Sequence, residues 1–145
     1  MDKFFYENFI TQKVHQQFLL VYWFGIIPNS VMRQIQEIAR SKNLKIVSFG
    51  ESLRGADTKL EFDPFLFVSY YSKANYEITN TFHGTIFSVI FHKQFGTFCR
   101  SKSNTGSTNQ EKLLDLLHRL QLENQLIKDV RNLETSLTSE IDYES

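Results

Sequence analysis

The segment of this sequence that is best suited to chemistry is a histidine followed by a glycine, His83-Gly84. Histidine changes its protonation near neutral pH, so it can deliver a proton, and glycine lets a ligand approach the backbone closely. A helix that begins here would offer unpaired N–H groups to an anion. The same residue types also suit a helix that Thr81 caps, with His83 bonded to a local carbonyl. The residues alone leave both interpretations open.

A second candidate for anion binding is the polar segment that begins at Arg100. Arg100 and Lys102 alternate with serines, and such cations and hydroxyls could hold a phosphate or a carboxylate; a solvated loop is the other interpretation. Cys99 is the one cysteine, which excludes an internal disulfide and a CxxC zinc site, and we expect it to be structural. The four histidines lack metal-ligand spacing, so we expect no bound metal.

Alternating strand and helix patterns must position these segments. The apolar run Phe18 to Phe24 is typical of a strand covered on both faces, and Gly25 ends it. Helix-start residues follow from Pro28, with apolar residues at helical spacing, and Lys45 to Gly50 predicts a second strand. A strand–helix–strand unit of this kind is typical of a parallel sheet.

The second half of the sequence continues the alternation. The polar stretch Glu51 to Glu61 predicts a loop, and Asp63-Pro64 predicts a helix start, because Asp can cap and Pro suits the first helical position. The further predicted elements are a strand at Tyr76–Thr79, a helix at Thr85–His92 buried through Ile86, Phe87, Val89 and Ile90, a strand at Phe95–Cys99 and a helix with leucines from Leu113 to Leu120. This order predicts a three-layer, Rossmann-like α/β domain with a mainly parallel sheet.

Ligands in such a domain bind beyond the carboxyl ends of the strands. Four predicted loops lie there, at 25–30, 50–57, 80–85 and 100–109. The glycines form neither GxGxxG nor a Walker A loop, so the sequence does not predict a dinucleotide or P-loop site.

Length and charge restrict the class of protein further. A chain of 145 residues with 41% hydrophobic residues suits one folded domain and excludes a wholly disordered chain. Its start has no signal-peptide pattern, and no apolar run has the roughly 20 residues of a membrane-spanning helix. The formal net charge is zero, which argues against broad electrostatic binding to nucleic acid. We expect a cytoplasmic protein, with peripheral attachment to the inner face of a membrane left open.

The charge is unevenly distributed along the chain. Residues 129–145 carry five acids and one base, a net charge of −4, and few apolar residues, which predicts a solvated acidic tail. The other residues have 15 bases and 11 acids, and their net charge of +4 would suit an anion site. We therefore expect a lead-in at 1–17, a Rossmann-like domain at 18–128 and the tail at 129–145.

The segment from Ala74 to Phe95, ANYEITNTFHGTIFSVIFHKQF, resembles the polysaccharide pyruvyl transferase family, whose members typically show a pattern like ADYVITNSFHGT followed by FSIIF. Asp63-Pro64-Phe65-Leu66 and the later helix Leu113 to Leu122 resemble the family as well, so the likeness covers about residues 18 to 127. The chain departs from the pattern at Glu77, where the family usually has an apolar residue.

The resemblance implies one half of a GT-B-like enzyme, the C-terminal of two Rossmann-like domains with the active site between them. Such enzymes transfer pyruvate from phosphoenolpyruvate to two hydroxyls of a sugar, as a cyclic ketal, in the synthesis of capsule, exopolysaccharide or cell-wall glycan, without another cofactor. The acceptor would be a glycan or a lipid-linked sugar. The resemblance implies that His83 binds the donor and acts as general acid, and we expect substrate contacts from Asn80, Thr81, Phe82, Gly84, Thr85, Arg100 and Lys102.

Two other functions compete with this interpretation. One is a GT-B glycosyltransferase domain with a nucleotide-sugar donor, for which the sequence offers no clear acidic residue to hold a ribose. The other is a non-catalytic module that binds an anion or a partner protein, and the lack of a first domain favours it. For the same reason we expect the chain alone to be inactive, and its open cleft face could make it self-associate.

Overall fold

Six strands form a single sheet in the computed structural model, which describes residues 17–50, 54–60, 63–98 and 107–143. They are β1 (Phe18–Trp23), β2 (Lys45–Gly50), β3 (Thr58–Leu60), β4 (Tyr76–Thr79), β5 (Gln94–Phe98) and β6 (Leu126–Ile127). Their order across the sheet is β3-β2-β1-β4-β5-β6, and every neighbouring pair is parallel. The predicted Rossmann-like α/β class is confirmed.

Five α-helices of the described ranges accompany the sheet. They are α1 (Asn29–Ser41), α2 (Pro64–Lys73), α3 (Phe82–Ile90), α4 (Ser107–Arg119) and α5 (Leu133–Thr138). The predicted start of α2 is confirmed, since Asp63 Oδ1 accepts hydrogen bonds from the N–H groups of Phe65 (2.9 Å) and Leu66 (3.2 Å). No helix within these ranges has the length and apolar character needed to cross a membrane.

Helices pack on both faces of the sheet and give the predicted three layers. On one face, α1 and α5 bury aliphatic residues such as Ile35 and Leu133 against Val21 and Ile78. On the opposite face, α2 contributes an aromatic cluster in which Phe67 lies edge-on to Phe49, with ring centroids 5.3 Å apart. The leucines of α4 cover Phe95 on β5. The many aromatic residues of the sequence thus serve largely as core.

Two short strands were not predicted from the sequence. The segment 51–61, predicted as a loop, contains β3, which pairs with Val47–Phe49 of β2 at the edge of the sheet. At the other edge, β6 has only two residues and pairs with Thr97 and Phe98. Strands of two or three residues are too short to show an alternating or continuous apolar pattern, so only their partner strands define them.

The prediction of a solvated acidic tail from residue 129 is wrong for residues 130–138. Leu133 and Leu137 are fully buried in the core beside α1, and they lie one turn apart on α5. Gln125, also buried, donates from Nε2 to the carbonyls of Phe95 (2.7 Å) and Ser136 (2.8 Å), which ties α5 to β5. Two leucines at helical spacing can bury one face of a short helix, while the acids on its other faces stay in solvent.

The buried side of α3 also differs from the prediction. The helix begins at Phe82 rather than Thr85, and the residues it buries are Gly84, Thr85 and Ser88. Ile90, which was expected in the core, is 60% exposed. Small side chains face the sheet because they let α3 lie close to β4 and β5, where a larger apolar residue would not fit.

Candidate functional site

The carboxyl edge of the sheet has a topological switch point between β1 and β4. After β1 the chain continues to β2 and β3 on one side, whereas after β4 it continues to β5 and β6 on the other. The loops at 24–28 and 80–81 therefore leave this point in opposite directions. In open α/β sheets this divergence forms the crevice in which ligands bind.

The side chain of Asn80 joins these two loops. Its Oδ1 accepts a hydrogen bond from the N–H of Phe24 (2.9 Å), and its Nδ2 donates to the carbonyl of Phe24 (2.8 Å). An amide side chain provides both a donor and an acceptor, so one residue satisfies both backbone groups. Asn80 is buried, and its polar atoms are used within the chain rather than offered to a ligand.

Threonine hydroxyls fix the start of α3. Thr81 Oγ1 accepts a hydrogen bond from the N–H of Gly84 (2.8 Å) and lies 2.9 Å from Thr79 Oγ1. The Thr79 hydroxyl in turn donates to the carbonyl of Tyr22 on β1 (2.7 Å). Thr81 is therefore the N-cap of α3, and this half of the interpretation that the sequence left open is confirmed.

The cap decides which backbone groups an anion could reach. The N–H of Gly84 donates to Thr81 Oγ1 and that of Thr85 to the Thr81 carbonyl (3.2 Å), so neither N–H group is open to an anion. The Thr85 side chain is also occupied, since its hydroxyl donates to the Thr81 carbonyl (2.9 Å) and lies 2.9 Å from Thr97 Oγ1. The first four N–H groups of a helix have no acceptor within its backbone ladder. Of these four, the N–H groups of Phe82 and His83 have no hydrogen-bond partner among the described residues.

His83 is exposed at this first turn of α3. Phe82 is half-buried beside it, with the two rings edge-on at a centroid distance of 6.2 Å. An imidazole next to two unpaired N–H groups can bind an oxyanion and exchange a proton with a bound molecule.

The predicted site residues thus divide into three groups. Phe82 and His83 lie where a ligand could meet them, whereas the side chains of Asn80, Thr81 and Thr85 hold the loop in place. Arg100 and Lys102, like Cys99, lie outside the described residues. Within the described ranges, no cluster of three or more His, Cys, Asp or Glu side chains is placed to hold a metal ion.

A buried carboxyl group lies beneath α3. Glu77 of β4 is fully buried, and its Oε2 accepts a hydrogen bond from the hydroxyl of Ser88 on α3 (2.7 Å). Oε1 has no hydrogen-bond partner among the described residues, and the nearby Tyr71 hydroxyl donates to the Gly84 carbonyl (2.7 Å). Burial raises the pKa of Glu77 to about 8, so the carboxyl is mainly protonated at neutral pH.

Sequence reasoning missed a cleft of about 550 Å³ that begins at the β1–α1 loop. Arg33 of α1 and the Arg54-Gly55 turn contribute to its wall. The sequence did hold one signal, because residues 50–57 were predicted to be a loop at the carboxyl edge and contain an arginine next to a glycine. Only the fold shows that Arg33 lines the same cleft.

No family model matches this chain, and no curated protein matches it. Among solved structures, it is similar to a UDP-GlcNAc 2-epimerase of Methanocaldococcus jannaschii in complex with UDP-GlcNAc and UDP, with a TM-score of 0.49 and 14% identity over 86% of this chain and 42% of that one. It is also similar to a Listeria monocytogenes protein assigned as a UDP-N-acetylglucosamine 2-epimerase, with a TM-score of 0.41 and 12% identity over 88% of this chain and 40% of that one. The chain spans less than half the length of both.

Proposed function

We propose that this chain is one half of a transferase and that the first turn of α3 receives a phosphate-bearing donor. The observation that carries the proposal is the exposed imidazole of His83 at the switch point of the sheet, beside two backbone N–H groups that have no partner in the described part of the chain. The loop is held in one shape by Asn80 and Thr81, so binding an anion there requires little ordering of the chain.

The donor that we propose is phosphoenolpyruvate, on the strength of the ITNTFHGT resemblance. In the reaction, protonated His83 gives its proton to the methylene carbon of the donor, which makes C2 electrophilic. A sugar hydroxyl attacks C2, and a second hydroxyl of the sugar then displaces phosphate to close the ketal. Of the two hydroxyl protons, one leaves with phosphate and the other returns to His83. An imidazole can both give and take up a proton, which suits both directions of this transfer.

We also propose which groups hold the donor, what the acceptor is, and what the second domain contributes. The N–H groups of Phe82 and His83 would hold the carboxylate or the phosphate of the donor. The acceptor would be a glycan or a lipid-linked sugar of a surface polysaccharide, presented in the cytoplasm, and the second domain would supply the opposite wall of the active site.

A nucleotide sugar is the second candidate donor. The cleft that contains Arg33 and Arg54 favours it, since about 550 Å³ lies within the range of small-molecule sites and exceeds what phosphoenolpyruvate would occupy. Under this alternative His83 would contact the transferred sugar instead of a pyruvyl group.

A titration of the ¹⁵N-labelled chain separates the two donors. We expect phosphoenolpyruvate to shift the amide signals of Phe82 and His83, and we expect His83→Ala to weaken its binding roughly tenfold, the size of one charge-assisted hydrogen bond. His118→Ala is the matched control, because His118 is an exposed histidine on α4. Binding that is equal in His83→Ala and the wild type would overturn the proposal, and preferential binding of a UDP-sugar would favour the second donor.

Ketal formation by the longest chain encoded in the same reading frame tests the chemistry. We expect His83→Ala to lower the rate by about 10²- to 10⁴-fold, as is typical when a general acid is removed. Full activity in His83→Ala would remove this residue from the mechanism.

A further inference from the structure

The cleft beside the β1–α1 loop is formed by one face of α1 and a facing turn. Asn29, Met32, Arg33 and Gln36 line it and recur at the helical spacing of three to four residues. Met32 belongs both to this face and to the core, and the other core residues of α1, among them Ile35, pack against the sheet. The cleft therefore has a rigid wall that the hydrophobic core holds in position.

Two glycines shape the cleft. Gly55 has φ +96°, and a Cβ there would lie 2.6 Å from Gln36 Nε2 and 3.3 Å from Met32 Cε. Glycine suits this turn because of its positive φ, and a side chain there would also displace the end of the Gln36 side chain. Gly25, which also lines the cleft, has φ +86° and nothing within 4 Å of where its Cβ would be.

The charge of the cleft is positive. Arg33 and Arg54 are exposed, and neither has an ion-pair partner among the described residues. No Asp or Glu lines the cleft within those residues, and the first turn of α1 has no acid. The N-cap of α1 is Pro28, which provides no side-chain hydrogen bond, and the N–H groups of Asn29 and Ser30 have no partner in the described part of the chain. Two guanidinium groups and an open helix start together suit two phosphates.

The remaining wall is apolar. Trp23, Ile27 and Met32 contribute to it. Trp23 makes an edge-on contact with Phe98 of β5, with the two ring centroids 5.4 Å apart. A site that joins an apolar wall to paired arginines matches a ligand with a phosphate end and an organic end.

We infer that this cleft binds an organic diphosphate, with the phosphates on Arg33, Arg54 and the first turn of α1 and the organic group against Trp23, Ile27 and Met32. His83 does not line the cleft, and the inference deepens the second candidate of the proposed function, because a nucleotide sugar would present its diphosphate to this same cleft. Its failure would leave the phosphoenolpyruvate proposal at His83 untouched. A nucleoside diphosphate and a lipid diphosphate share this chemistry, and the probes below distinguish them.

The fluorescence of Trp23, the one tryptophan of the chain, reports on the cleft directly. The intact chain is titrated with UDP, farnesyl diphosphate, inorganic pyrophosphate and phosphoenolpyruvate. We expect a saturable change with UDP or farnesyl diphosphate, and the tighter of the two identifies the organic group. Inorganic pyrophosphate should bind more weakly because it has no apolar part.

Two substitutions and two controls make the titration decisive. Arg33→Gln and Arg54→Gln should each weaken binding roughly tenfold, since each removes a charge-assisted hydrogen bond from an exposed side chain that the fold does not need. Arg40→Gln, an exposed arginine of α1, and His118→Ala, an exposed histidine of α4, do not line this cleft and should leave the affinity unchanged. Absence of binding by both organic diphosphates, equal binding of inorganic pyrophosphate, or affinities that neither arginine substitution alters would overturn the inference.

Discussion

The helices α1 and α3 both begin at the carboxyl edge, one after β1 and the other after β4, yet they are anchored in different ways. α1 buries a stripe of long apolar residues, such as Val31, Ile35 and Ile38, and its first turn has no side-chain cap. α3 buries Gly84 and small hydroxyl residues, and Thr81 caps it.

The difference shows how the anchor of a helix determines what its first turn can do. A helix that apolar burial holds in place can leave its start open, as α1 does at the arginine cleft. A helix seated through hydroxyls has its start built into the same hydrogen-bond network, so α3 offers only the N–H groups of Phe82 and His83. Polar anchoring fixes the geometry around His83, but it makes α3 sensitive to changes that α1 would tolerate.

The prediction with the largest expected effect on stability concerns the protonation of Glu77, which lies beneath α3. Burial raises its pKa to about 8, against an ordinary value of 4.5, so the folded chain binds this proton more tightly than the unfolded chain. The contribution of Glu77 to the free energy of unfolding is therefore fully present below pH 4.5, falls as the pH rises, and is lost above pH 8. We expect the decline to reach several kcal/mol.

Glu77→Gln is the matched variant, because a neutral amide keeps the size of the side chain and can still bond Ser88. Urea unfolding of both proteins at pH 5, 7 and 9 should show that the free energy of unfolding of the variant increases relative to that of the wild type as the pH rises. A constant difference across that range would contradict a protonated Glu77 in the folded chain.

Gly84→Ala tests the close approach of α3 to the sheet. A Cβ at this position would lie 2.9 Å from Thr79 Cβ, 2.7 Å from Thr81 Oγ1 and closer still to Thr79 Oγ1. Alanine usually stabilises a helix by about 1 kcal/mol relative to glycine, but overpacking costs about 1–3 kcal/mol, so we expect a net destabilisation. Ile90→Ala, at the exposed end of the same helix, should change stability by less than about 0.5 kcal/mol. A stabilised Gly84→Ala chain would show that α3 can move away from β4.

The smallest predicted effect compares the two helix starts. Thr81→Ala removes the cap of α3 and should cost about 1 kcal/mol in thermal or urea unfolding. Ser30→Ala, in the first turn of α1, removes no capping hydrogen bond and should cost less than about 0.5 kcal/mol. Equal losses from both substitutions would mean that the two starts do not differ as described.

Much of the fold could be predicted from local patterns. The apolar run of β1, the helical stripe of α1 and the Asp63-Pro64 start of α2 each carry their signal within a few neighbouring residues. The strands β3 and β6 carry no such signal, because pairing with β2 and β5 makes them strands. For the same reason the acidic composition after residue 129 concealed α5, which two leucines dock against the sheet.

The same difference between local and long-range information applies to the candidate site. The residue types of the segment from Asn80 to Thr85 indicated an anion site at a helix start, and Thr81 was correctly predicted as a possible cap. The partner of Asn80 could not be predicted, since Phe24 is 56 residues away in the sequence. Arg33 and Arg54 belong to separate elements, so their position in one cleft depended on the topology.

By itself, the sequence determined the alternation of strands and helices, the Rossmann-like class and the candidacy of His83, because each follows from residues that are near neighbours in the chain. The tertiary structure alone decided which side of α3 faces the sheet, how a carboxyl group at Glu77 is kept protonated, and where the two arginines meet. These depend on packing between elements that are distant in the chain, where shape and desolvation override the local preference of a residue.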